Sequence, residues 1–175
     1  MSVLLDVVLP FEKSKAAVER LVKALNDDKF KTFHSSAKDK VTVNSTHPVF
    51  PQLIAFEIKT KEAGISAVVK VYSHIVRVSW SYPAEWHNTF GNYSRENEEE
   101  RRIVRAVCRE LGAFLQAKEC VYYRDFFLPE VADSFGSFVK TLEKEGKVGL
   151  LSDENLEELK SSGGCDNFSS FIEHW

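Results

Sequence analysis

The sequence predicts a single α+β domain: a mostly antiparallel sheet with two main helices packed on one face, in the manner of a ferredoxin-like or split βαβ arrangement, with a helical C-terminal elaboration. Three observations carry this prediction. An apolar N-terminal run stopped by proline leads into an amphipathic helix; three β-rich segments follow one another between residues 53 and 82; and a long amphipathic helix is followed by a short aromatic, β-branched segment.

Val3 to Leu9 is apolar apart from Asp6 and ends at Pro10, which suits a mostly buried strand. Ser14 is placed to cap a helix in which Ala17, Val18, Leu21, Val22 and Leu25 share one face, and Asn26-Asp27-Asp28 ends it. Phe30 to His34 and Val41 to Asn44 are short segments compatible with strand or extended loop, and His47-Pro48-Val49-Phe50-Pro51 is stiffened by its prolines. Leu53 to Lys59 and Ile65 to Tyr72 read as a hairpin, with Gly64 supplying positive φ in its turn. Ile75 to Tyr82 continues as β, with Val76, Val78 and Trp80 on one face, either as a separate strand or as the far end of a bent one.

Glu96 to Lys118 is the strongest helix, with Ile103, Val104, Val107, Leu111, Phe114 and Leu115 as its buried stripe. Its early glutamates suit the positive end of the helix dipole, and Glu98 with Arg102 makes an i, i+4 pair. Cys120 to Arg124 reads as a returning strand. Phe126-Phe127-Leu128-Pro129 forms a hydrophobic turn, Val131 to Lys144 is predicted helical, and Ser152 caps a short helix over 153–160. After the linker-like Ser161-Ser162-Gly163-Gly164, residues 165–175 are expected to form a docked helical segment, because Phe168, Phe171, Ile172 and Trp175 fall at helical spacing.

The chain has 175 residues, 43% of them hydrophobic, and a net charge of −3, so one domain can bury a substantial core without a metal or disulfide. The lack of a basic excess argues against nucleic-acid binding. Arg101, Arg105 and Arg109 do recur every four residues, but the glutamates just upstream make a self-paired, solvated helix face the simpler reading. Cys108, Cys120 and Cys165 share no ligand spacing and are expected to be reduced thiols of a cytoplasmic protein, Cys108 in the core. No apolar run approaches the ~18 residues of a membrane span, and the N-terminus has no basic n-region or cleavage site. The three N-x-[ST] matches carry meaning only in a secreted chain.

His34, His47, His74, His87 and His174 form no zinc-like pattern, and no phosphate-cradling or nucleophile-elbow motif occurs, so neither a metal nor a cofactor is expected. The 82–95 segment is the most distinctive part of the chain. Tyr82, Trp86, His87, Phe90 and Tyr93 gather in a connection longer than the usual 4 to 6 residues, and such aromatics either anchor a partner or fold back to cover the sheet. The first expectation is a non-enzymatic protein-binding or inhibitory domain, with Trp86, Phe90 and Tyr93 as anchors and Glu85, His87, Asn88 and Asn92 as rim; toxin-neutralising immunity proteins are one class that works in this way. The alternative is a small-molecule-binding protein or small enzyme with a pocket between the sheet and this loop, where His87, Arg77, Tyr72 and Asp125 would converge.

Overall fold

The computed structural model describes residues 4–35, 53–91, 95–124, 129, 132–161 and 168–175. Its elements, in order, are β1 (Leu5–Pro10), α1 (Lys15–Asn26), β2 (Phe33–Ser35), β3 (Ile54–Thr60), β4 (Ser66–Val71), β5 (Ile75–Trp80), a π-helical turn (His87–Gly91), α2 (Arg95–Phe114), β6 (Glu119–Arg124), α3 (Phe135–Glu145), β7 (Val148–Leu151), α4 (Asp153–Ser161) and β8 (Ser170–His174). The strands form one open sheet in the order β2-β3-β4-β5-β1-β6-β8-β7. Every neighbouring pair is antiparallel except β7 with β8. Since β5 and β6 both run antiparallel to β1, they run parallel to each other on either side of it, and α2 supplies the crossover that such a pair requires.

Strand alternation divides the core. Leu5, Val7 and Leu9 of β1 point to one face with Val76, Val78 and Trp80 of β5, where Leu21 and Leu25 of α1 and Val104, Val107 and Leu111 of α2 cover them in a single cluster. Val22 packs against that cluster half-buried, but Phe114 lies at the end of α2, 39% exposed, with its ring edge against Phe30. On the opposite face Val8, Ile75, Val121 and Tyr123 meet Phe135, Phe138 and Leu142 of α3. The two main helices therefore share a face as expected, and α3 adds a third layer over part of the other.

Local signals explain most boundaries. Ser14 caps α1 by accepting from Ala17 N at 3.1 Å, and Ser152 does the same for α4 from Asn155 N at 3.1 Å. Ser134 and Ser137 form a reciprocal capping box that starts α3 later than residue 131. The β3–β4 turn places Ala63 and Gly64 in the left-handed region, as the hairpin reading of Gly64 requires. Tyr72 N donates to Ile75 O across a tight turn, so β4 and β5 are separate strands. Gln116, at positive φ, ends the helical run and stops α2 at Phe114 rather than Lys118.

The tail departs from expectation. Residues 170–174 form β8, not a helix, and lie between β6 and β7. The helical spacing of Phe168, Phe171, Ile172 and Trp175 is outweighed by the exposed edge of β6, whose N–H and C=O groups lie among buried side chains and need a partner strand. As a strand the tail sends Phe171 into the first-face cluster and Ile172 to the second. Trp175 then lies against Gly112, where a Cβ would come within 2.3 Å of the indole, and its Nε1 donates to Ala117 O. β7 carried no signal distinct enough to be expected. The segments around Val41–Asn44, His47–Phe50 and Phe126–Leu128, the 162–164 part of the linker and Cys165 lie outside the described residues.

Candidate functional site

The segment after β5 is folded down by its own large side chains. Ala84 N donates to Ser81 O and Thr89 N to Glu85 O, which coils the chain into a helical turn with Trp86 and Phe90 on one side. Both are fully buried. Trp86 lies 5.2 Å from Phe90 and 5.8 Å from Phe171, while Phe90 meets Tyr122 at 5.4 Å and Phe171 at 5.3 Å, centroid to centroid. These contacts overturn the expectation that Trp86 and Phe90 stand out as anchors. Burying two large rings against the C-terminal strand removes more apolar surface from water than a free loop would allow.

Two of the expected binding residues do face solvent. Tyr82 is 75% exposed, the most open of the large hydrophobic side chains in the described residues, and His87 is exposed on the outer side of the π-helical turn. Asn88, expected on the rim, turns inward, and its Nδ2 donates to Pro83 O at 3.0 Å, tying the two ends of the segment together. Leu4 forms an isolated bridge with Glu85 and is 39% exposed, so an apolar side chain flanks the same end of the sheet. Tyr93 and Asn92 lie outside the described residues.

The pocket expected between the sheet and this segment is filled by Trp86 and Phe90, and its proposed polar walls do not converge. Tyr72 belongs to the second-face cluster, and Arg77 lies on that face, where its Nε donates to the buried Asp6 carboxylate at 2.9 Å. His87 belongs to a segment packed on the other face, and Asp125 lies outside the described residues.

The most heavily bonded polar group was not legible in the sequence. Glu173 of β8 is fully buried, and its Oε1 accepts from Arg105 Nε and Nη2 at 3.0 and 2.7 Å and from Arg109 Nε and Nη2 at 3.0 and 2.6 Å. Its Oε2 accepts from Tyr122 Oη at 2.6 Å. Arg105 also reaches Asp153 of α4 at 2.9 Å, so its guanidinium joins α2 to α4 and β8, while Tyr122 ties β6 to the same Glu173 carboxylate. Burial works against the Arg105 charge, but the bonds to Glu173 and Asp153 outweigh it and hold the guanidinium firmly protonated. The four-residue arginine repeat was visible. Its principal partner was not, because Glu173 comes within reach only when the tail is a strand with Phe171 and Glu173 on the same face.

The other reactive groups are similarly committed to the fold. Burial pushes the Cys108 and Cys120 thiols well up, so both remain protonated and unreactive. His34 pairs with Asp28 at 2.7 Å and His174 with Glu119 at 3.2 Å. Among the described residues no three metal-ligating side chains cluster, and no helix is long and apolar enough to cross a membrane. Comparison with protein-family models, with curated proteins and with solved structures finds no match for this chain.

Proposed function

We propose that this chain is a non-enzymatic protein-binding module that presents Tyr82 and His87, flanked by Leu4 and Glu85, to another protein. The observation that carries this reading is the contrast within one short segment. Trp86 and Phe90 are buried and brace it, while Tyr82 is displayed at 75% exposure from the same rigid base. A large amphipathic ring with only two side-chain torsions to order, carried on a braced segment, loses little conformational freedom on association, which is how loop aromatics on stiff scaffolds become energetic anchors. Glu85 and His87 supply polar groups beside the apolar Tyr82 and Leu4, in the arrangement of a small interface centre with a polar rim. A toxin-neutralising inhibitor is one class that fits this size and chemistry. For the architecture, the order β2-β3-β4-β5-β1-β6, with α1 joining β1 to β2 and α2 joining β5 to β6, supports a ferredoxin-like frame widened by one additional hairpin.

Affinity capture from the source cells with the wild-type chain and with a Tyr82→Ala/His87→Ala variant tests this reading. Both side chains are exposed, so the variant should keep the wild-type melting temperature while weakening a stoichiometric partner by about 2 kcal/mol or more, the size of a hot-spot loss. A partner bound equally well by both forms would move the interface elsewhere. By contrast, Trp86→Ala/Phe90→Ala should lower stability first.

A further inference from the structure

We infer that the cleft between the start of α1 and the end of α2 is a binding site for a small organic anion, one carrying a phosphate or carboxylate on an apolar body. The cleft has a volume of about 540 Å³ and lies at the end of the sheet opposite Tyr82, where β1 ends, β5 begins and β6 begins. That volume is within the range of small-ligand pockets. Its walls are of two kinds: Pro10, Phe11, Phe114 and Leu115 give an apolar side, and Lys13, Arg20 and Lys118 give a cationic one.

The charge lining the cleft is mainly cationic. Four arginines elsewhere are matched by carboxylates: Arg77 by Asp6, Arg102 by Glu62 and Glu99, Arg105 by Glu173 and Asp153, and Arg109 by Glu173. Lys13, Arg20 and Lys118 have no ion-pair partner among the described residues. Two acids also line the cleft, Glu12 and Glu119, the latter with its Oε2 3.2 Å from His174 Nδ1, so the three cations outnumber them. His74 also lines the cleft; its Nδ1 lies 3.3 Å from Ser73 Oγ, while its Nε2 is buried with no hydrogen-bond partner. The Ser14 side chain satisfies Ala17 N, which leaves the first-turn N–H groups of Lys15 and Ala16 without an intrahelical acceptor and adds modestly to the positive potential. An anion of this kind would neutralise the cations while its body covers the half-exposed ring of Phe114. The site is independent of the proposed protein-binding surface at the far end of the sheet.

The test is an amide chemical-shift titration of the full chain at low ionic strength with phenyl phosphate, benzoate and inorganic phosphate, repeated on an Arg20→Ala/Lys118→Ala variant. Phenyl phosphate or benzoate should give saturable shifts centred on Lys15, Ala16 and His74, and whichever binds more tightly identifies the anionic group. The double variant should bind about tenfold more weakly, as loss of charge-assisted contacts implies, and both positions are exposed enough for the fold to persist. Absence of saturable shifts, shifts unchanged in the double variant, or inorganic phosphate binding as well as phenyl phosphate would each overturn the proposal.

Discussion

At the scale of single residues, Glu173 shows how far a side chain's role depends on what surrounds it. A buried carboxylate that accepts from two arginines and a tyrosine is compensated, but removing it leaves Arg105, whose side chain is 10% exposed, with the solvent-exposed Asp153 in place of its buried partner. Glu173→Ala should therefore cost about 3 to 5 kcal/mol in urea unfolding, the usual penalty for breaking a buried pair from one side. A loss under about 1 kcal/mol would show that solvent reaches the network. Glu110 offers a pH-dependent counterpart. Burial raises its carboxyl, but hydrogen bonds from Lys31 N, Thr32 Oγ1 and Thr32 N outweigh that and hold it below its ordinary value of 4.5. A pKa lowered by folding stabilises the native state above the unfolded value, and that contribution disappears as pH falls through the folded one. The stability gap between wild type and Glu110→Gln should thus be widest near about pH 7 and shrink below about pH 4. A gap that grows on acidification would contradict the bonding to Lys31 and Thr32.

At the scale of elements, the C-terminal strand matters most. β8 is the only partner of β7 among the described residues and covers the edge of β6, so its loss undoes two pairings and the Glu173 network together. Deleting residues 168–175 should cost more than Glu173→Ala alone and so lower the melting temperature by about 10 °C or more, with self-association through the uncovered β6 edge. An unchanged melting curve and a monomeric elution profile would refute that role. The aromatic segment depends on the same strand, since Phe171 contacts both Trp86 and Phe90. That dependence explains why the segment's burial was not legible locally: the apolar surface it packs on comes from residues about eighty positions later in the chain.

At the scale of the whole molecule, α1 and α2 close one core over one face of the sheet, and a single cooperative unfolding transition is expected. Leu111, 1% exposed at the centre of that core, should cost about 2 to 5 kcal/mol when truncated to Ala, with the transition still shared by probes in α1 and α2. Separate transitions would divide the core. The α+β class, the central strands, the Ser14 and Ser152 caps and the stripes on α1 and α2 are legible in the local order of side chains, because periodicity and capping act over a few residues. Long-range packing makes the tail a strand, brings Arg105 and Arg109 to Glu173, and places Trp86 and Phe90 in the core while Tyr82 stays at the surface. Those outcomes depend on which strand edge needs a hydrogen-bonding partner and which apolar face lies within reach, and both are set by contacts between segments far apart in the chain.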